Sequence, residues 1–430
     1  PAHGDRPHRR RDRGRGGNSR MSRLSEMIKE LCPDGVEYKK LKEVFDTKNG
    51  YTPSKSNESY WENGTIPWFR MEDIRENGHI LSDSIQHVNL NAIKGELFPA
   101  NSIIVATSAT VGEHALISVP SLANQRFTYL MLKHEYANAF DIKFLFYYCY
   151  KLDLWCLSHL NQGSFPSVDM KQFSQFEIPV PPLAIQNEIV KLLDNFTELT
   201  AELTAELQLR KKQYSFYRDS LLNFLQDNTE VEWKTLGEIA TDIFRGAGIR
   251  RDEVTEDGIP CVRYGEIYTK YGIWFDSCFS HTNEAVHAVP KYFEHGDILF
   301  AITGENIDEI AKSTAYIGNE KCLAGGDIVV LKHEQNPKYL SYVLSTEMAQ
   351  KQKSRGKVKS KVVHSSVPAI KEIKIPIPPL EVQAKIVSIL DRFDALCHDL
   401  TQGLPAEIAA RKKQYEYYRE KLLTFPRKDA

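Results

Sequence analysis

Asn124-Gln125-Arg126 places three side chains that pair with base edges next to one another. Arginine suits guanine O6 and N7, and asparagine or glutamine suits adenine N6 and N7, so a turn carrying all three fits base readout. Hydroxyls and cations stand around it in sequence. Lys48, Tyr51, Thr52, Ser54 and Lys55 form a polar, turn-rich loop; Arg70 follows the run IPWF; Thr107, Ser108 and Thr110 follow an aliphatic run. GSFPS, at 163–167, suits contact between backbone N–H groups and phosphate. Later in the chain Lys351, Lys353, Arg355, Lys357, Lys359 and Lys361 alternate with uncharged residues over eleven positions. In an extended segment this alternation puts all six on one side, where neutralising several phosphates makes binding salt-sensitive. Arg245, Arg250, Arg251 and Arg263 join the set, and Thr303, Glu305 and Asn306 stand 195 residues beyond Ser108, Thr110 and Val111. Glu305 either accepts from a cytosine amino group or pairs with a neighbouring cation, and the ion pair is the favoured reading. Taken singly, each residue also fits a solvated loop or a satisfied turn.

Other chemistry is missing its motifs. The chain has no G-x-x-x-x-G-K-[ST] loop, no G-x-G-x-x-G after a strand and no H-E-x-x-H. Its two Pro-Pro motifs lack the preceding Asn or Asp with which base-modifying methyltransferases grip a flipped adenine. Thirteen histidines show no metal-ligand spacing, and His134 and His333 both sit in LKHE, a repetition that favours a structural role. Cys156 and Cys278 have no base beside them. Seven scattered cysteines without a C-x-x-C pair read as reduced thiols in a cytoplasm. No apolar run approaches the ~18 residues of a membrane span. With 55 basic and 57 acidic residues the net charge is −2, so any contact with nucleic acid must come from local patches. Residues 1–20 carry seven arginines and no large apolar side chain. They read as a disordered leader before a natural start at Met21, with a basic nucleic-acid arm as the other reading.

The elements that position these residues occur twice. VEYKKLKEV at Val36 returns as VEWKTLGEI at Val231, IPWFRMEDI at Ile66 as IPCVRYGEI at Ile259, and NSIIVATSAT at Asn101 faces GDILFAITGE at Gly296. PVPPL at Pro179 returns at Pro376 and RKKQY at Arg210 returns at Arg411. The order is kept and the offset drifts only from 193 to 201, which is the mark of a duplicated domain plus helix. Aliphatic runs at 102–105, 129–132, 298–300 and 328–331 read as strands, and 142–154 and 338–352 as helices. Each half is therefore expected to be mixed α/β (α+β). Proline resists strand and helix interiors, so each Pro-Pro pair ends a half and opens a helix.

The first helix, 183–224, carries Ile189, Leu192, Phe196, Leu199, Leu203 and Leu207 on a seam of alternating four- and three-residue steps. An extra four-residue step, a stutter, falls in the tandem TAEL-TAEL at 200–207. Its twin carries Ile386, Ile389, Phe393, Leu396 and Leu400 and is interrupted at Gly403-Leu404-Pro405. Two such stripes can bury each other as an antiparallel coiled coil in a pseudo-two-fold arrangement; pairing between two chains is the other reading. The expected divisions are 21–180 and 229–377 for the globular halves, and 181–228 and 378–426 for the helical regions.

With these motifs in place the chain resembles the DNA-specificity subunit of type I restriction–modification systems. The likeness rests on I-P-[VI]-P-P-L closing each half, the following RKKQY-x-[FY]-Y-R-[DE], the VE[YW]K-x-L-x-E openings, and NGYTPSKSNESYWENGTIPW at 49–68. The TAEL tandem is similar to that of the subfamily in which such repeats set spacer length. The resemblance implies a non-catalytic reader of a split, asymmetric double-stranded DNA site. It would dock two adenine methyltransferase subunits and further restriction/translocase subunits, with AdoMet, ATP and Mg²⁺ belonging to those partners. FRGAGIRRDEV at 244–254 stands where the second half lacks TPS, which implies that the halves read different sequences. A coiled-coil adaptor that binds only proteins, and a stand-alone methyltransferase or nuclease, are the competing classes.

Overall fold

A computed structural model describes residues 23–161, 165–224, 231–283, 289–355, 362–398 and 403–428. Residues 1–20, Gly163, Ser164, Lys357, Lys359, Lys361 and Leu400 lie outside the described residues. The chain divides into two compact units. One runs to Glu202 and resumes at Ala410; the other is Leu203–Ala409.

Each unit is built on the same sheet. In the first, strands Phe45–Asn49, Phe127–Leu132, Ser102–Ala106, His114–Ile117 and Ile80–Leu81 lie side by side in that order. In the second the order is Ala240–Arg245, Ile328–His333, Ile298–Ala301, Ser313–Tyr316 and Trp274–Phe275. The central runs SIIVA and ILFA are buried along their whole length, as expected of aliphatic strands covered on both faces. A smaller sheet holds Ile66–Phe69 parallel to Leu122–Ala123, and Ile259–Val262 parallel to Cys322–Ala324 in the second unit. The duplicated opening and ending of each half pair as an antiparallel ribbon. Tyr38 faces Pro179 in one unit and Glu232 faces Ile377 in the other.

The helix at Ile142–Ser158 is opened by Asp141, whose carboxylate accepts from the Lys143 and Phe144 N–H groups. The expected single helix at 338–352 is instead two, Pro337–Leu344 and Glu347–Lys353. Between them Thr346 caps the second by accepting from the Ala349 N–H; a threonine bonding its own backbone in this way favours a new start over a continued turn.

After Pro181-Pro182 the chain enters one unbroken helix, Leu183–Leu222, of 40 residues, about 60 Å long at ~1.5 Å per residue. Its distal twin is two helices, Leu380–His398 and Leu404–Leu422, with Pro405 in the first turn of the second. A repeated set of buried and part-buried polar contacts joins each helix to its own globular half. Gln186 donates to the Pro181 and Ala139 carbonyls and accepts from Asp141 N, at 2.7, 2.8 and 2.9 Å. Gln383 donates to the Pro378 carbonyl at 2.8 Å and to Gln335 Oε1 at 2.9 Å, and accepts from Asn336 N at 3.0 Å. Two turns on, Asp194 accepts from the Tyr147 hydroxyl and Lys143 Nζ, both at 2.7 Å; Asp391 accepts from Tyr342 and Lys338 at the same distances. Buried polar groups are retained only when bonded, so these contacts fix each helix in register with its half.

The helices also pair inside each unit. Phe196 lies 5.4 Å, centroid to centroid, from Tyr418 in the first unit, and Tyr217 lies 5.6 Å from Phe393 in the second. In the second unit Tyr214 neighbours Asp394 and Cys397, and Cys397 in turn neighbours Arg210. One number falls as the other rises, so this pairing is antiparallel. Ile189, Leu192, Leu203 and Ile386 are buried as the seam requires, and Phe196, Leu199, Leu207 and Phe393 are partly buried. Ile389 and Leu396 correct the expectation: they are 43% and 38% exposed, while Leu390 and Cys397 are buried instead. The Leu380–His398 helix also packs on its own half, in one cluster with Tyr339, Leu340 and Tyr342. That second contact rotates the buried stripe by one residue.

Candidate nucleic-acid interface

Six of the residues singled out in the first half line one cleft of about 260 Å³. Thr52, Lys55, Arg70, Asn124, Gln125 and Arg126 surround it, with Trp68, Met71 and Glu72. The backbone explains why they meet. Asn124 N donates to the Phe69 carbonyl at 3.0 Å and Tyr51 N to the Ala123 carbonyl at 2.8 Å, so three loops converge on the end of the small parallel pair. Gly50 permits the crossing: a Cβ there would overlap the Ala123 and Asn124 carbonyls. Thr52 then donates to Gln125 Oε1 at 2.5 Å, and Arg126 N to Asn124 Oδ1 at 3.0 Å, which holds the 124–126 turn in shape. The Arg70 guanidinium stands 5.7 Å from the Trp68 ring centroid, with Nε 3.9 Å from Glu72. Lys55 and Arg126 are exposed and make no ion pair among the described residues.

The other first-half candidates are not among the residues that line this cleft. Tyr51 accepts through its hydroxyl from Lys94 N at 2.7 Å and through its carbonyl from Trp68 Nε1 at 3.0 Å. Ser54 shares a hydroxyl contact with Ser56 at 2.8 Å. Lys48 projects from its strand over Phe98, 5.7 Å from the centroid. Thr107 is buried, a correction to its reading as a direct contact. Its hydroxyl meets Thr128 at 2.8 Å, and its N–H donates to the Arg126 carbonyl at 3.0 Å, so it holds the 124–126 turn from behind. Ser108 is half-buried and bridged to Ser167.

The second half repeats the frame with different side chains. Phe69 pairs with Ala123 and Val262 with Ala324, so Asn124-Gln125-Arg126 corresponds to Gly325-Gly326-Asp327. Gly246 corresponds to Gly50, and a Cβ there would overlap the Gly325 carbonyl. Arg245 is held by this loop: its Nη2 lies 2.6 Å from Asp327 and its Nε donates to the Gly326 carbonyl. Arg263, the counterpart of Arg70, lies 3.3 Å from Glu266. Arg250, 3.8 Å from Glu253, and Arg251 are exposed. Thr303 is nearly buried with its hydroxyl 3.1 Å from His364 Nδ1, and Asn306 caps a turn by accepting from Asp308 N at 3.0 Å.

Lys353 is a correction. It is not on an extended cationic edge but at the end of the Glu347–Lys353 helix, fully buried. Its Nζ lies 2.8 Å from the Leu344 carbonyl and 3.3 Å from Ser313 Oγ, and burial pushes its pKa down to about 7. Two residues on a helix are about 200° apart, so Lys351 points outward, ion-paired with Glu347 at 2.8 Å, while Lys353 points inward. Arg355, just beyond, is exposed.

No group of three or more His, Cys, Asp or Glu that could hold a metal ion occurs among the described residues, and no described helix is long and apolar enough to cross a membrane. Burial pushes the Cys156 and Cys261 thiols up to about 12, away from nucleophilic use.

A family model described as the type I restriction modification DNA specificity domain matches twice, over residues 33–210 and 228–410. The EcoprrI type I restriction enzyme specificity subunit of Escherichia coli is 42% identical over 401 residues, 89% of this chain and 93% of that one. The EcoR124I/EcoR124II specificity subunit, also of Escherichia coli, is 36% identical over 300 residues, 66% and 71% of the two chains. Among solved structures, a chain from work on assembly and conformational transition of the type I R-M system shares the fold, with a TM-score of 0.64 and 16% identity over 90% of this chain and 97% of that one. Two matched domains, two duplicated frames and relatives aligned over most of their length lead to one conclusion: this chain belongs to the type I restriction–modification DNA-specificity family.

Proposed function

We propose that the chain is the sequence-specificity subunit of a type I restriction–modification assembly and reads a split, asymmetric DNA site. The globular halves 21–180 and 229–377 act as target-recognition domains, one for each half-site. The observation that carries this reading is one frame with two unlike loops: two amides and an exposed arginine at Asn124-Gln125-Arg126, against two glycines and an aspartate, paired with Arg245, at Gly325-Gly326-Asp327. Unlike side chains on a common frame suit unlike base sequences. The helical regions 181–228 and 378–426 set the gap and dock two adenine methyltransferase subunits, with restriction/translocase subunits added for cleavage. AdoMet, ATP and Mg²⁺ serve those subunits, in the cytoplasm, and this chain contributes recognition without catalysis. Co-expression with the cognate methyltransferase subunit, followed by genome-wide mapping of methylated adenines, is the test. A two-part motif with a fixed unspecified gap is expected; methylation lacking such a motif refutes the reading.

A further inference from the structure

We infer that Phe165 is an apolar wedge that packs against the base stack of bound DNA, beside the readout turn of the first half. The inference rests on the reading of that cleft as a DNA contact.

A single exposed phenylalanine needs no explanation, but Phe165 is set apart by how it is held. It is 79% exposed, yet the chain just after it is tied down. Ala109 N donates to the Pro166 carbonyl at 2.8 Å, Asn161 N to the Ser167 carbonyl at 2.8 Å, and Val168 N to the Thr107 carbonyl at 2.9 Å. Thr107 N in turn donates to the Arg126 carbonyl at 3.0 Å. A continuous backbone path therefore links the Phe165 platform to Asn124-Gln125-Arg126. The following proline restricts Phe165 itself to extended backbone, which lowers the entropy lost when the ring is immobilised.

The duplication supplies an independent observation. Ser167 bridges Ser108 as His364 pairs with Thr303, so Phe165 corresponds to Val362. Val362 is 48% exposed and directly follows the basic run through Lys357, Lys359 and Lys361 in sequence. Both halves thus present an exposed apolar side chain at the same place, next to polar or cationic sequence suited to phosphate. An apolar side chain in such surroundings fits DNA, where Phe and similar residues enter base steps and partly unstack them. Leu154 and Leu157 are also exposed in this unit, so a protein partner is the competing occupant.

The test uses the chain co-purified with its methyltransferase subunit, and duplexes of the mapped site with 2-aminopurine replacing each adenine of both half-sites in turn. Apart from the target adenines, which the methyltransferase itself flips out of the stack, wild type and Phe165→Trp should raise 2-aminopurine fluorescence at one position. Phe165→Ala should abolish that rise and weaken binding by about 5- to 150-fold, the range for loss of a base-stacking aromatic. Its melting temperature and co-purification with the methyltransferase should not change, because the side chain is exposed. Unchanged affinity and an unchanged fluorescence rise in Phe165→Ala overturn the inference. So does loss of methyltransferase co-purification with DNA affinity of the chain retained, which assigns the ring to a protein contact. If mapping yields no split motif, the underlying reading fails and this inference falls with it; a split motif with a silent Phe165→Ala leaves that reading standing.

Discussion

Deleting residues 204–207, one TAEL unit, should shorten the unspecified gap by one or two base pairs and leave both half-site sequences unchanged. The unit lies inside the unbroken Leu183–Leu222 helix. Four residues amount to about 6 Å of rise and a rotation of about 40° beyond a full turn, against 3.4 Å per base pair along DNA. The helix pairings on either side keep their own partners, since Phe196 packs on Tyr418 and Tyr217 on Phe393, and none of these is removed. The Glu206–Arg210 ion pair is 3.7 Å long, and removing one tandem unit brings Glu202 to the same place four residues before Arg210, so the pair is remade. Folding should therefore survive. The assay is adenine-methylation mapping in cells carrying wild type, the deletion and an insertion of one further TAEL, with the insertion widening the gap by the same step. An unchanged gap, or a gap change accompanied by a new half-site sequence, refutes the reasoning.

Arg126→Ala should weaken binding by about 1–3 kcal/mol and relax one half-site only; relaxation of both, seen in the same mapping, rules out its role as a local reader. Asp194→Ala and Asp391→Ala each strip the bonds of a tyrosine and a lysine and should destabilise their own unit by about 2–4 kcal/mol, measured by urea denaturation; a loss below 0.5 kcal/mol in both, by the order of that estimate, contradicts the register role. Lys353, held near 7 in the fold against its usual 10.5, binds its proton less readily folded than unfolded. Stability should therefore rise between pH 7 and about 10 by about 1.4 kcal/mol per pH unit from this residue. Lys353→Met should flatten that rise relative to wild type, and an identical pH dependence in chemical denaturation refutes the buried neutral lysine.

Much of the first-half cleft was legible because residue type and position at the end of an apolar run agreed. Thr52, Arg70 and Asn124-Gln125-Arg126 all stand where an element ends, and all reach one cleft. Lys353 was misread because a two-residue alternation has meaning only in an extended chain, and the Thr346 cap makes that stretch helical. Ile389 and Leu396 were misread because an apolar helix offers several three-and-four seams. Which one is buried depends on a second neighbour that periodicity does not contain.

From residues alone came the duplication, the strand-rich halves, the Pro-Pro exits and the long central helix, because each is written in local chain stiffness, apolar period and near-identical repeats. Folding alone decided which residues correspond in the loops of unequal spacing. The offset is 193 at Phe69 and Val262 but 201 at Ala123 and Ala324, so unequal loops hide the match of Asn124-Gln125-Arg126 to Gly325-Gly326-Asp327 until strand pairing places them. The Arg245–Asp327 contact, the burial of Lys353 and the tethered, outward Phe165 likewise arise from residues far apart in the chain. Local preferences specify elements; only the packing of those elements specifies which side chains remain free to meet DNA.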